Sequence, residues 1–224
     1  MTKKLIAITQ RIYKDNNTNE IRDCLDQRWV DFIKKCDFNL LPLSNKIDLV
    51  EDYLSDFSIS GIILSGGGDI ALPYKKVLDI IDHKKIVDKL DYLISRDLIE
   101  NKLIKYSLEK NIPLLGICRG MQAINAYYGG NLIKVEKHVR TIHRLDKYDK
   151  DFKDFYPDKV NSFHDFAITS NCLSSRLKPT AFKDNIVEAF VHKDHNQYGI
   201  MWHPERELNS SYYDLMLIKR VFRF

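Results

Sequence analysis

The chain has 224 residues, with 35 Lys and Arg against 31 Asp and Glu, a formal charge of +4, 44% hydrophobic and 29% charged residues. This is ample for one α/β domain over residues 1–224, and with no basic block longer than a few residues it gives no case for nucleic-acid binding. No apolar run approaches a membrane span, the stretch Leu5-Ile6-Ala7-Ile8 is too short for a signal-peptide core, and Cys24, Cys36, Cys118 and Cys172 show no paired spacing, all of which fits a cytoplasmic address.

Taken in order, residues 5–9 read as a strand, followed by a polar turn over 14–19 and a helix over about 21–35. Residues 39–43 form a second strand and 47–54 a short helix. Residues 61–64 and 112–118 are the next strands, both too apolar for one-sided burial, as parallel strands in a doubly covered sheet should be. Between them Leu90, Leu93, Ile94, Leu98, Ile104 and Leu108 mark the apolar stripe of a helix. Asp97 and Asn101 project from within that stripe, and polar groups on a buried face need partners. Asp97 is therefore expected to hold a backbone amide or Arg96.

A helix follows over 121–128, then a strand over 131–136 and a charged, aromatic segment over 137–158 that reads as a solvated hairpin. Residues 180–182 and 188–191 make a second hairpin turning at Lys183-Asp184-Asn185. The last helix, 212–222, closes the core with Leu215, Ile218 and Phe222. Strands alternating with helices argue a parallel α/β fold with right-handed crossovers, in which ligands sit beyond the carboxyl ends of the strands.

Three segments at such strand ends carry chemistry. Gly116-Ile117-Cys118-Arg119-Gly120 turns a strand sharply into a helix and lifts Cys118 clear of the sheet, the logic of a nucleophile elbow. The positive end of the following helix favours the reactive thiolate. His203-Pro204-Glu205 supplies a base and its orienting acceptor, two residues apart, on one side if strand geometry persists through Pro204. Ser65-Gly66-Gly67-Gly68-Asp69 follows an apolar strand and leaves backbone N–H groups free to aim at an oxyanion. It lacks the Gly-Lys-Ser/Thr ending of a phosphate-binding loop. His138, His143 and His164 invite a zinc site, but their spacing is irregular and no cysteine or carboxylate pattern completes one, so no metal is expected.

These motifs, with Asn125, Gly129-Gly130 and Asn161-Ser162-Phe163-His164, occur in an order that resembles class I glutamine amidotransferase-like proteins. The Gly-Gly-Gly-Asp loop, Cys118-Arg119-Gly120-Met121-Gln122 and Arg96-Asp97-x-x-Glu100 resemble the γ-glutamyl hydrolase branch, which includes γ-glutamyl-γ-aminobutyrate hydrolases. The resemblance implies a flavodoxin-like α/β fold, a mostly parallel sheet covered by helices on both faces. It implies a Cys118, His203, Glu205 triad and an oxyanion hole from the amides of Gly67 or Gly68 and Arg119. Gln122, Asn161, Ser162, Phe163 and His164 would hold the glutamyl group, Ser162 and Phe163 mainly through backbone. No cofactor is implied, and the partner is a small γ-glutamyl substrate, with a homodimer compatible.

The leaving amine stays open. The most specific substrate implied is a γ-glutamyl-CDP-amidate of capsule phosphoramidate synthesis, with Lys137, Arg140 and Arg144 admitting the diphosphate. Other readings are γ-glutamyl-γ-aminobutyrate, a glutaminase serving a separate synthetase, or a degenerate domain used as a binding module. Segment 70–90 reads as shorter than the usual substrate-covering loop.

Overall fold

The computed structural model describes residues 3–71, 83–207 and 211–222. The chain runs β1 (Leu5–Ile8), β2 (Arg11–Lys14), β3 (Ile21–Cys24), α1 (Arg28–Lys35), β4 (Asn39–Pro42), α2 (Ile47–Asp56) and β5 (Ile59–Leu64). It continues through α3 (His83–Lys110), β6 (Leu114–Ile117), α4 (Arg119–Tyr127), β7 (Ile133–Lys134), β8 (Val139–Arg144), β9 (Asp146–Lys147), β10 (Lys159–Phe163) and β11 (Phe166–Ala167). The last elements are β12 (Leu177–Lys183), β13 (Ile186–His192), β14 (Gln197–Ile200) and α5 (Tyr212–Phe222). The expected shortening of segment 70–90 falls largely on residues 72–82, outside the described residues, as do the side chains of Leu90 and Leu93.

The central sheet has eight strands in the order β4-β1-β5-β6-β14-β13-β12-β9. It is parallel from β4 to β14 and antiparallel beyond. β6 is wholly buried and β5 nearly so, which is why both read as unbroken apolar runs. Phe222 of α5 packs directly on Gly61, where a Cβ would lie 2.3 Å from its ring, so the last helix does close the core. The three central parallel strands β5, β6 and β14 are neighbours, with Leu64 opposite Gly116 and Ile117 opposite Ile200. The glycine loop, Cys118 and His203 therefore leave the sheet at one edge.

Four expectations need correction. The helix over 21–35 begins only at Arg28; residues 21–24 instead pair with β2 in a hairpin. Its turn is built by Asp15, whose Oδ1 accepts from the amides of Asn17 at 2.8 Å and Thr18 at 3.2 Å, and by Asn19 at φ 56°. The strand over 131–136 shrinks to the exposed two-residue β7, paired with β11. Segment 137–158 is not a solvated hairpin: β8 pairs with β10, β9 joins the main sheet, and Leu145, Asp149, Phe152 and Tyr156 are buried. Leu98 is exposed, so the stripe of α3 runs instead through Ile99, Leu103 and Ile104.

Candidate active site

Cys118 sits between β6 and α4 at φ 51°, ψ −104°, a strained conformation for a residue with a side chain. Its flanking glycines permit the turn. A Cβ on Gly116 would lie 2.5 Å from the backbone of Gly120, and one on Gly120 2.1 Å from Leu64 O. The amide of Cys118 is anchored to Ile200 O at 2.8 Å, which ties the elbow to the strand that leads to His203.

Strand geometry does not persist to Glu205. β14 ends at Ile200, and Pro204–Arg206 form a 3-10 turn. That turn still brings the pair together, with His203 Nδ1 donating to Glu205 Oε1 at 2.7 Å and both side chains buried. Burial pulls the His203 pKa down, but hydrogen bonds to Cys118 and Glu205 outweigh it and lift the pKa to about 9. The imidazole thus bridges the thiol and the carboxylate, and at neutral pH it is protonated. Gly66 is needed beneath the ring, because a Cβ there would lie 2.4 Å from His203 Cε1.

The glycine loop is held from behind by buried charges. Arg96 Nη1 donates to Gly67 O at 2.6 Å, and Nη2 to Ser65 O at 2.6 Å. In a planar trans peptide the N–H points opposite to the C=O. The amides of Gly66 and Gly68, paired with those carbonyls, are therefore aimed away from Arg96, and Gly67 and Gly68 have positive φ of 88° and 80°. Arg96 is paired with Glu100 at 2.9 Å, and Arg119 with both Glu100 and Asp97. Burial, with Arg119 nearby, lowers the Arg96 pKa to about 10, which still leaves it charged. Asp97 does hold a backbone amide, that of Ala71 at 2.7 Å, but its ionic partner is Arg119. The oxyanion assignment of Arg119 concerns its backbone N–H at the start of α4; its side chain is spent in this network and on Asp69 O at 3.0 Å.

A cavity of about 180 Å³ is lined by Gly67, Gly68, Cys118, Gln122, Phe163, His164, His203 and Arg206, among others. Of the residues expected to hold substrate, Gln122, Phe163 and His164 face it. Gln122 Nε2 and His164 Nδ1 both bond Phe166 O, at 2.8 and 2.9 Å. Asn161 and Ser162 do not face it. Asn161 takes the His203 amide on Oδ1 at 2.9 Å and gives Nδ2 to His203 O at 2.8 Å, so its side chain is committed to the His203 backbone. Ser162 Oγ is used on His138 O at 2.6 Å. Lys137, Arg140 and Arg144 are not in the lining; the cation there is Arg206, 4.4 Å over the Phe163 ring, which itself meets His203 edge-on. Its place directly after His203-Pro204-Glu205 is the signal the sequence offers for it.

The histidines also fall otherwise than their spacing suggests. His138 and His143 come together with Glu188 of β13, the carboxylate the sequence pattern lacks, and His164 adjoins them. Burial holds His164 down at about pKa 4.

Comparison with known proteins identifies the family and the fold. Residues 4–205 match the family model described as Peptidase C26. The gamma-glutamyl-CDP-amidate hydrolase of Campylobacter jejuni subsp. jejuni serotype O:2 is 38% identical over 206 residues, 90% of each chain. Among solved structures, a candidate GMP synthase component from Thermoplasma acidophilum superposes with a TM-score of 0.67 at 21% identity, covering 99% of this chain and 94% of that one. A glutamine amidotransferase from Thermotoga maritima gives 0.61 at 17%, covering 98% and 84%. With a sheet, an elbow and a family match over most of its length, this chain belongs to the Peptidase C26 family on a class I glutamine amidotransferase fold.

Proposed function

We propose that this protein is a cysteine-dependent hydrolase that cleaves a γ-glutamyl amide to glutamate and a free amine. The observation that carries this reading is the His203 imidazole, bonded to Glu205 and within reach of Cys118, at the mouth of a glycine loop whose amides face away from Arg96. Cys118 thiolate attacks the γ-carbonyl carbon, and the new oxyanion is held by the N–H of Gly67 or Gly68 and that of Arg119, worth about 3 kcal/mol per donor. Collapse breaks the C–N bond, the departing nitrogen takes the His203 proton, and a γ-glutamyl thioester remains. Water then gives a proton to the now neutral His203 and attacks the thioester carbon, and Cys118 thiolate leaves with release of glutamate. Glu205 fixes the ring and stabilises its cation. Gln122, the backbone of Phe163 and the face of His164 are assigned to the glutamyl head.

The substrate we assign is γ-glutamyl-CDP-amidate, split to glutamate and cytidine diphosphoramidate in capsular polysaccharide phosphoramidate synthesis, in the cytoplasm. The C. jejuni relative supports this, as does Arg206 at the cavity as a cation for the diphosphate. No helix among the described residues is long and apolar enough to cross a membrane. The test is glutamate release from glutamine, γ-glutamyl-γ-aminobutyrate, γ-glutamyl peptides and γ-glutamyl-CDP-amidate, with Cys118→Ala as control. Strong turnover of the CDP-amidate with glutamine poor, lost in Cys118→Ala, is expected. Turnover of glutamine alone would overturn it in favour of a glutaminase that supplies a separate synthetase.

A further inference from the structure

Behind the loop that carries His164, side chains from three separate segments converge. His138 precedes β8, His143 lies on it, His164 follows β10 and Glu188 sits on β13. The available donor atoms of His138, His143 and Glu188 all lie within 4.8 Å of one another. His143 Nε2 is 3.2 Å and His164 Nε2 3.9 Å from Glu188 Oε1. The His138 ring is 5.6 Å from that of His143 and 5.0 Å from that of His164, centroid to centroid.

The hydrogen-bond accounting of this cluster does not close. Glu188 is fully buried and His164 is 4% exposed. Among the described residues, both Glu188 oxygens, His164 Nε2, His143 Nε2 and His138 Nδ1 are buried without a hydrogen-bond partner. His143 Nε2 thus stands at ion-pair distance from Glu188 Oε1, 3.2 Å, without a formed hydrogen bond. Buried carboxylates and imidazoles left in this state cost several kcal/mol in total, by roughly 1–3 for each unsatisfied group.

One ring states its own tautomer. His164 Nδ1 faces Phe166 O at 2.9 Å, and a carbonyl only accepts, so the ring proton is on Nδ1. Nε2 then presents a lone pair toward the Glu188 carboxylate, so that two acceptors face each other 3.9 Å apart. A histidine that gives one N–H to a backbone carbonyl and aims its other nitrogen into a cluster of donors has the arrangement of a metal ligand with its outer-shell support. We propose that His138, His143, His164 and Glu188 bind one divalent transition-metal ion of the zinc type. Imidazole and carboxylate donors suit that class of cation; His138, His143 and Glu188 form the compact set, and His164 Nε2, 3.9 Å from Glu188 Oε1, is the fourth to close on the ion.

Such an ion would fasten the β8–β10 ribbon to β13, a strand of the main sheet. It would also fix the loop over residues 163–166, whose Phe166 carbonyl is shared by His164 and Gln122 at the cavity. The site meets the Cys118 cavity at His164 alone, since His138, His143 and Glu188 lie outside that lining, and it does not depend on which amide is cut.

The test is metal content of the purified full chain by mass spectrometry, followed by chelation and titration with Zn²⁺ and Co²⁺. About one ion per chain is expected, with a tetrahedral Co²⁺ absorption spectrum and a melting temperature that falls on chelation and returns with Zn²⁺. His143→Ala and Glu188→Gln should each weaken Zn²⁺ binding by about 100-fold or more, beyond the loss typical of an outer-shell change. Cys118→Ala should retain the ion, which separates this site from the Cys118–His203 pair. If the His143 variant fails to fold, wild-type stoichiometry, the Co²⁺ spectrum and the chelation-dependent melt still decide. A chain that takes up no stoichiometric Zn²⁺ or Co²⁺, or one that loses it only in Cys118→Ala, overturns the proposal.

Discussion

Two buried polar clusters flank the candidate active site, and they are built on opposite principles. Behind the glycine loop, Arg96 and Arg119 face Asp97 and Glu100, two cations against two anions, and each guanidinium is also bonded to loop carbonyls. Thr9 adds a hydroxyl to Glu100 Oε1 at 3.2 Å and receives the Ser65 amide at 3.0 Å. Behind His164 the second cluster has one carboxylate, three imidazoles and a row of atoms with no partner among the described residues. The first is complete as the chain stands, and its product is geometry: it orients loop amides and the start of α4 in one frame. The second is incomplete as the chain stands, which is what a site for something else looks like.

Removing one charge from each side breaks that comparison most directly. Glu100→Gln leaves Asp97 to Arg119 and takes the paired carboxylate from Arg96, with one buried positive charge uncompensated. A loss of about 3–5 kcal/mol is expected from urea unfolding, on the scale of breaking a buried pair. Glutamate release should fall with it, since the loop carbonyls lose their anchor. A loss below about 1 kcal/mol would mean that the network is not what holds the loop.

His203 lies between the two clusters and is paired through Glu205 and Cys118. Its folded pKa, about 9, is above the unfolded value of 6.5. Its contribution to stability is therefore fully present below pH 6.5 and is lost as pH rises through about 9. The same proton goes to the leaving nitrogen in the proposed mechanism, so kcat/KM should hold to about pH 9 and then fall roughly tenfold per pH unit. A basic limb near pH 7 would sink this assignment.

What is legible in the sequence tracks how local each feature is. Gly116, Cys118 and Gly120 are close enough along the chain that one turn explains them all, and His203-Pro204-Glu205 survives even though the expected strand gives way to a 3-10 turn. Asp97 is visible as a polar residue within an apolar stripe, and its need for an amide partner follows from that. Its ionic partner Arg119 comes from another element, so the sequence points no further than Arg96. Asn161 looks like a substrate ligand because it adjoins Ser162-Phe163-His164. Alternation along β10 and its pairing with β8 turn it to the His203 backbone instead. The histidine cluster is least legible: its members come from β8, β10 and β13 and their flanks, and irregular spacing along the chain says nothing about strands brought together across two sheets. A faint signal is present, a single Glu188 within the otherwise apolar run 186–191 of β13.

A smaller effect is expected where the second cluster leans on the ribbon. Ser162 Oγ donates to His138 O at 2.6 Å, close to the backbone that presents the His138 ring. Ser162→Ala removes one neutral hydrogen bond, which is worth about 1 kcal/mol in a melting experiment. In the metal-loaded chain the same variant should also weaken Zn²⁺ binding several-fold, because the ring it steadies is a proposed ligand. Unchanged affinity would place His138 outside the ligand set.

The sharpest form of the comparison predicts almost no effect at all. Glu188→Gln in the metal-free chain removes a fully buried anion that no described donor satisfies, where Glu100→Gln removes one that every neighbour needs. The new amide offers N–H donors to the bare nitrogens of His143 and His164, which stand 3.2 and 3.9 Å from the present Oε1. Stability by urea unfolding should therefore stay within about 1 kcal/mol of the metal-free parent, or rise, as a buried carboxylate with no hydrogen bond gives way to a neutral group that can bond. A loss of several kcal/mol would show that Glu188 is already paired as firmly as Glu100, by a proton shared with His143, and the contrast between the two clusters would collapse.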